Sequence, residues 1–262
     1  MPSPPSRWFH HGTDPGTIIT LDQPVPSRWK ILEKLNEHDF QVSEEMSKHY
    51  GSHSLATTKL LCCDPTNPTK KAFIRVYLQV PYLNTEMKDP KTRALQATKY
   101  TPRELTAYQE FTRNGFRNAP KLLGFKISTQ DKSGLVPKGF AIWLAWEVVP
   151  GLRLGDKHGD DPFWTLMPVE REKVRMAFLK TLPTVLEKGY SPDAPSLSNL
   201  VWHKQTETLY FIGYFYGIDD GPKRRSNIEV GPEWLAHYKL AKPSSDKWLK
   251  KDWDGNTTGW EM

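Results

Sequence analysis

The chain has only two cysteines, and they are adjacent, Cys62 and Cys63. Neighbouring residues in a strand point to opposite faces, so an ordinary disulfide between them is disfavoured, and both read as reduced strand residues. No run approaches the roughly 18 uninterrupted apolar residues of a membrane helix, so no membrane partner is expected. The start, MPSPPSRWFHHGTDPG, is prolyl and polar and lacks the apolar stretch of a signal peptide, which makes a cytoplasmic location the expectation. The eight histidines show no metal-site spacing; His49 and His53 straddle Gly51 and have no matching carboxylate motif. Neither a metal nor a cofactor is expected. Glycine is sparse between residues 36 and 53, where Gly51 stands alone, so that stretch holds no glycine-rich phosphate loop.

What is present argues for a packed core. Hydrophobic residues make up 37% and aromatics 12% of 262 residues, enough for one large domain or two lobes. The net charge of +6 favours acidic partners such as nucleic acid, nucleotides or an anionic membrane surface.

Residues 1–28 carry six prolines and no sustained period, which predicts an extended N-terminal arm or a partly disordered lead. Residues 29–35 read as strand or short helix. The apolar, β-branched runs 54–63 and 71–80, separated by DPTNPT, predict an antiparallel hairpin. Pro102 opens a helical stretch with Leu105, Tyr108 and Phe111 at helical spacing and Gly115 as its C-terminal cap. Two strands follow, at 121–127 and 139–149. A long helix from Pro168 presents Val174, Phe178, Leu182, Val185 and Leu186 on one face, with a kink expected at Pro183. Short strands at 199–202 and 209–214, a helix at 233–241 and a Trp/Lys-rich tail complete the chain.

The segment GYSPDAPSLSNLVWHKQTETLYFIGYF (189–215) resembles the catalytic hairpin of protein kinases and aminoglycoside phosphotransferases, with its catalytic letters changed. The order of elements over roughly 29–220 matches, and PRELTAYQEF, the run from Thr129 to Asp156 and NLVW followed by LYFI are similar to a group of fungal kinase-like proteins. The fold implied is α+β and bilobal: an antiparallel N-lobe sheet with one helix over 29–149, and a shortened helical C-lobe over 150–262. Glu104 then matches the helix glutamate, Arg75 stands where the strand lysine belongs, and Glu147 begins the hinge.

The departures weaken the implied chemistry. Phosphoryl transfer in this family needs a phosphate cradle, a cation, magnesium held by an Asp and an Asn, and a carboxylate base. Ser191 replaces the turn histidine, Asn199 falls one residue late after Asp193, and Gly213 takes the place of the metal-binding aspartate. Asp219 and Asp220 lie past the strand end. Asp193 keeps a carboxylate in the loop and reads either as a base or cation clamp, or as an Asx-turn residue before Pro195. Ser191, Ser196 and Ser198 read as turn caps or as an acyl acceptor.

Three function classes remain open. The resemblance extends to fungal arginine-containing cyclodipeptide synthases, which implies an aminoacyl transferase using charged tRNA and small amino-acid substrates. There Asp193, Ser191, Asn199, Glu104 and Arg75 would be catalytic, and Glu147, Trp143 and Trp146 would hold an arginyl guanidinium. Arg171, Arg175, Lys223, Arg224 and Arg225 would bind tRNA phosphates, with Trp248, Trp253 and Trp260 either stacking on bases or docking onto the body. The alternatives are a noncatalytic pseudokinase binding a partner or nucleotide, and an atypical small-molecule phosphotransferase.

Overall fold

The computed structural model describes residues 7–156, 161–217 and 229–262. Helices and antiparallel strands segregate into an α+β arrangement, in two compact units: Met1–Pro102 with Lys121–Val148, and Arg103–Pro120 with Val149–Met262.

The first unit is built on six antiparallel strands: β1 (Ile18–Leu21), β2 (Ser27–Phe40), β3 (Leu55–Asp64), β4 (Asn67–Gln79), β5 (Leu122–Thr129) and β6 (Phe140–Glu147), in the order β1-β2-β3-β4-β6-β5. The expected hairpin is β3–β4. At its turn the Thr66 hydroxyl and amide both donate to Asp64, which holds that carboxyl down to about 2. Two short helices, α1 (Glu44–Tyr50) and α2 (Pro90–Ala94), lie in the connections. Ser43 caps α1 by accepting from Met46 N at 3.1 Å, and Gly51 ends it at φ +64°, a conformation that costs glycine nothing.

The two edges of this sheet meet. Phe125 N donates to Gln23 O at 2.8 Å, while Asp22 N and Gln23 N donate to Phe125 O at 3.2 and 3.1 Å. Gly124 allows the approach, because a Cβ there would lie 3.1 Å from both Gln23 O and Leu21 Cδ1. Residues 7–28 therefore do not form the free arm that their prolines led us to expect. Trp8, Phe9, Ile19 and Leu21 are buried in one cluster with Trp29, Ile31, Leu60 and Ile74, so the segment supplies part of the unit's core. Apolar content outweighs proline here, since prolines suit strand ends and edges.

The second unit contains α3 (Arg103–Arg113), α4 (Pro162–Thr165), α5 (Pro168–Glu187) and α6 (Pro232–His237). Its strands are β7 (Leu152–Arg153), β8 (Tyr190–Pro192), β9 (Leu200–His203), β10 (Thr208–Phe211) and β11 (Phe215–Gly217). They pair as β10-β9-β7 and β11-β8. The α3 helix was expected to belong with the sheet. Instead its aromatic face packs in the second unit, with Phe111 5.0 Å from Phe215 and 5.3 Å from Tyr190, ring centre to ring centre. Helix α5 runs on through Pro183, burying Val174, Phe178, Leu182, Val185 and Leu186. Phe178 meets Tyr238 at 4.7 Å and Phe211 at 5.7 Å. In the tail Lys242 and Glu261 exchange backbone hydrogen bonds at 3.0 Å each. Trp253 stacks on Trp260 at 5.4 Å, and Trp248 meets His237 edge-on at 4.8 Å. These tryptophans pack on one another and on α6.

Candidate functional site

The loop between β8 and β9 and the segment between β10 and β11 lie side by side, held by backbone bonds. Strand β8 pairs with β11 through Ser191↔Tyr216 and Pro192↔Phe215. Asp193 N donates to Tyr214 O at 2.8 Å, and Ile212 N donates to Asn199 O at 2.8 Å. Asn199 Nδ2 donates to Asp193 O at 3.2 Å and to Ala194 O at 2.9 Å, closing a loop in which Ala194 adopts φ +52°. The Asp193 carboxylate is left exposed, with no hydrogen bond among the described residues, so the Asx-turn alternative is not formed.

Gly213 sits opposite Asn199 at φ +101°, and a Cβ on it would come 2.9 Å from Asn199 Oδ1. Its carbonyl accepts from Tyr108 Oη at 3.3 Å. Tyr108 was read only as a core residue of α3; the tether to Gly213 carries no signature in the local sequence. Arg153 was also missed, and its Nε donates to Ser198 O at 2.6 Å.

Gly213 carries no side chain, and the Asn199 amide nitrogen donates to two loop carbonyls, which leaves Asn199 Oδ1 facing the glycine. Among the described residues no group of three or more His, Cys, Asp or Glu converges on a metal position. Asp219 and Asp220 lie outside the described residues.

Several expected site residues are placed otherwise. Ser191 is buried, and its hydroxyl donates weakly to Pro192 O at 3.4 Å, so it is no presented nucleophile. Ser196 accepts from Ser198 N at 3.2 Å and caps the short turn before β9, which is the turn-cap reading. Glu104 is buried in the first turn of α3, in the second unit.

Arg75 is buried in the first unit, its guanidinium carbon 5.2 Å from the Trp146 ring centre. Lys59 joins the same face, 3.9 Å from the Phe73 ring centre and 5.6 Å from that of Trp146. Trp143 cannot join Trp146 and Glu147 in one guanidinium clamp, because an odd spacing along an unbroken strand puts Trp143 and Trp146 on opposite faces. Trp143 packs against the core cluster instead. The Glu147 carboxylate accepts from Lys121 N at 3.0 Å and fixes the start of β5.

The tRNA-contact reading of the α5 arginines also changes. Arg175 is buried: its Nε donates to Leu240 O at 2.8 Å, Nη1 to Glu172 at 3.1 Å, and its guanidinium carbon lies 5.4 Å from the Phe163 ring centre. Arg171 stacks 4.9 Å from the Trp164 ring centre, where Lys242 Nζ also sits at 4.0 Å. Cations next to apolar faces bury their stems and pair with rings, which draws them from the surface. Lys223, Arg224 and Arg225 lie outside the described residues.

No helix among the described residues is long and apolar enough to cross a membrane. No family model matches the chain, and no curated protein does. Among solved structures it is similar to the Cydia pomonella granulovirus kinase PK-1, at 14% identity and a TM-score of 0.40, covering 71% of this chain and 53% of that one. It is also similar to vaccinia related kinase 3, at 14% identity and a TM-score of 0.37, covering 78% of this chain and 52% of that one. The chain thus spans about half the length of either kinase.

Proposed function

We propose that the chain is a bilobal kinase-like protein that has given up magnesium-dependent phosphoryl transfer and works by binding. The observation that carries this reading is the Asn199–Gly213 contact. The position that would present a metal-binding carboxylate has no side chain, and Asn199 stands where one would have to fit. The asparagine amide stitches the Asp193 loop instead. Supporting features are the order of elements and the paired hairpin that follows α5.

The test is ATP consumption by the full chain with magnesium or manganese, across a panel of alcohol and amine acceptors, together with thermal shifts on adding ATP. No turnover is expected, and any stabilisation by nucleotide should not depend on the metal. Metal-dependent turnover that Asp193→Asn abolishes would overturn the reading.

One observation favours a second reading, the tRNA-dependent cyclodipeptide synthase. The Asp193 backbone is fixed on both sides while its carboxylate is exposed, a geometry suited to holding a guanidinium or accepting an amine proton. In that reaction each α-amine attacks the other aminoacyl ester. Two amide bonds form, two ester bonds break, two tRNA hydroxyls leave, and ATP has no part. The reading no longer draws on Arg171 or Arg175. Incubation with arginine, a second amino acid, their synthetases and tRNA should give a cyclic dipeptide that RNase treatment abolishes. Failure with every amino acid rejects it.

A further inference from the structure

The second unit carries a groove of about 760 Å³ that none of the Asp193 loop residues lines. One wall is a single face of α5, where Val169, Lys173, Met176 and Lys180 recur at helical spacing over about 17 Å. The other wall is the β9–β10 hairpin with Arg117 and Asn118. It is preformed: Asn118 donates from Nδ2 to Leu209 O and accepts from Phe211 N, each at 2.8 Å, and Trp202 Nε1 donates to Glu170 at 2.5 Å. Lys173 reaches across to Glu207 at 2.6 Å, tying helix to hairpin.

Two features of this groove call for an occupant. Val169 and Met176 stand 72% and 60% exposed along this helix face, and methionine suits an adaptable contact surface. The charges are also unbalanced. Glu172 is held by Arg175 at 3.1 Å and Glu207 by Lys173, whereas Arg117 and Lys180 have no ion pair among the described residues. A nucleic acid fits less well, because the Trp202 ring is buried at 2% and cannot stack on a base, and two carboxylates line the walls.

We propose that this groove docks a segment of a partner protein that pairs acidic residues with bulky aliphatic ones, laid along α5 with its carboxylates on Arg117 and Lys180. Docking of this kind follows the helix-in-groove or extended-peptide mode, with apolar anchors supplying affinity and the charges setting orientation. It holds whether or not the Asp193 loop turns over a substrate.

The experiment is a selection of random peptides displayed on phage against the immobilised full chain. A fluorescent copy of the best peptide is then titrated against wild type, Met176→Asp and the double variant Arg117→Glu/Lys180→Glu. All three residues are exposed, so melting temperatures should match wild type. The selected peptides should combine acidic with aliphatic residues. Each variant should bind about tenfold or more weakly, and a peptide with its acids changed to lysine should recover binding to the charge-reversed variant. The proposal is overturned by a selection that yields no binders, by peptides without acidic bias, or by affinities unchanged in the variants. A uridine oligonucleotide that binds wild type and fails on the same variants also overturns it, in favour of nucleic acid.

Discussion

Asn199 Oδ1 and the backbone of Gly213 are so close that a β-carbon on the glycine would lie 2.9 Å away, at a φ of +101° that L-residues rarely adopt. Gly213→Ala therefore meets both backbone strain and a contact, and should lower the unfolding free energy by about 1–3 kcal/mol. Gly213→Asp should cost at least as much and give no magnesium-dependent ATP turnover. Urea denaturation of Gly213→Ala, Asn199→Ala and the double variant isolates the contact: the double should lose less than the two singles together. Strict additivity would show that the two residues do not press on each other.

Leu21 tests whether the N-terminal segment is structural. It is fully buried against the inner face of the closed sheet, next to the Gln23–Phe125 pairing. Leu21→Ala should cost about 2–5 kcal/mol in equilibrium unfolding, the range for truncating a buried leucine. A loose arm would make the substitution silent.

What the sequence made legible, and what it hid, follows from the range of the signals. The β3–β4 hairpin, α3 with its Gly115 terminator and the apolar face of α5 all rest on local periodicity and turn chemistry, which a single sequence displays. The home of α3 rests on which aromatic surface its own face meets, and periodicity is silent on that. The closing of the sheet by Gln23 and Phe125 is a contact across a hundred residues, with no local trace beyond an unremarkable Gly124. In the site, the tether from Tyr108 to the Gly213 carbonyl spans more than a hundred residues and left no local trace either. Arg175 did leave a signal: it stands three residues before Phe178 and seven before Leu182, within the apolar stripe rather than outside it.

That placement separates two roles for Arg175. Its removal leaves the Leu240 carbonyl without a donor and a space beside Phe163, so Arg175→Ala should lower stability by about 2–4 kcal/mol, and lysine should not replace the fork. Lys180→Ala, on the exposed face of the same helix, should stay within about 0.5 kcal/mol of wild type. Thermal melts decide it. An Arg175→Ala protein that melts like wild type but loses RNA retention would return this residue to a nucleic-acid surface.

His53 gives the first unit a pH dependence of defined sign. Its ring accepts from or donates to Thr98 Oγ1 at 3.2 Å through Nδ1, and lies 5.1 Å from the Tyr100 ring and 6.1 Å from the Phe140 ring. Burial beside these rings disfavours the imidazolium and holds its pKa below the ordinary 6.5. As pH falls past 6.5 the unfolded chain takes up the proton first, so stability drops until the folded-state pKa is reached; above 6.5 His53 contributes no slope. His53→Gln keeps a polar partner for Thr98 and removes the titration. The fall in melting temperature from about pH 7 to about pH 5 should therefore be smaller in His53→Gln than in wild type. Parallel curves for the two proteins would mean that His53 is as readily protonated in the folded chain as in the unfolded one.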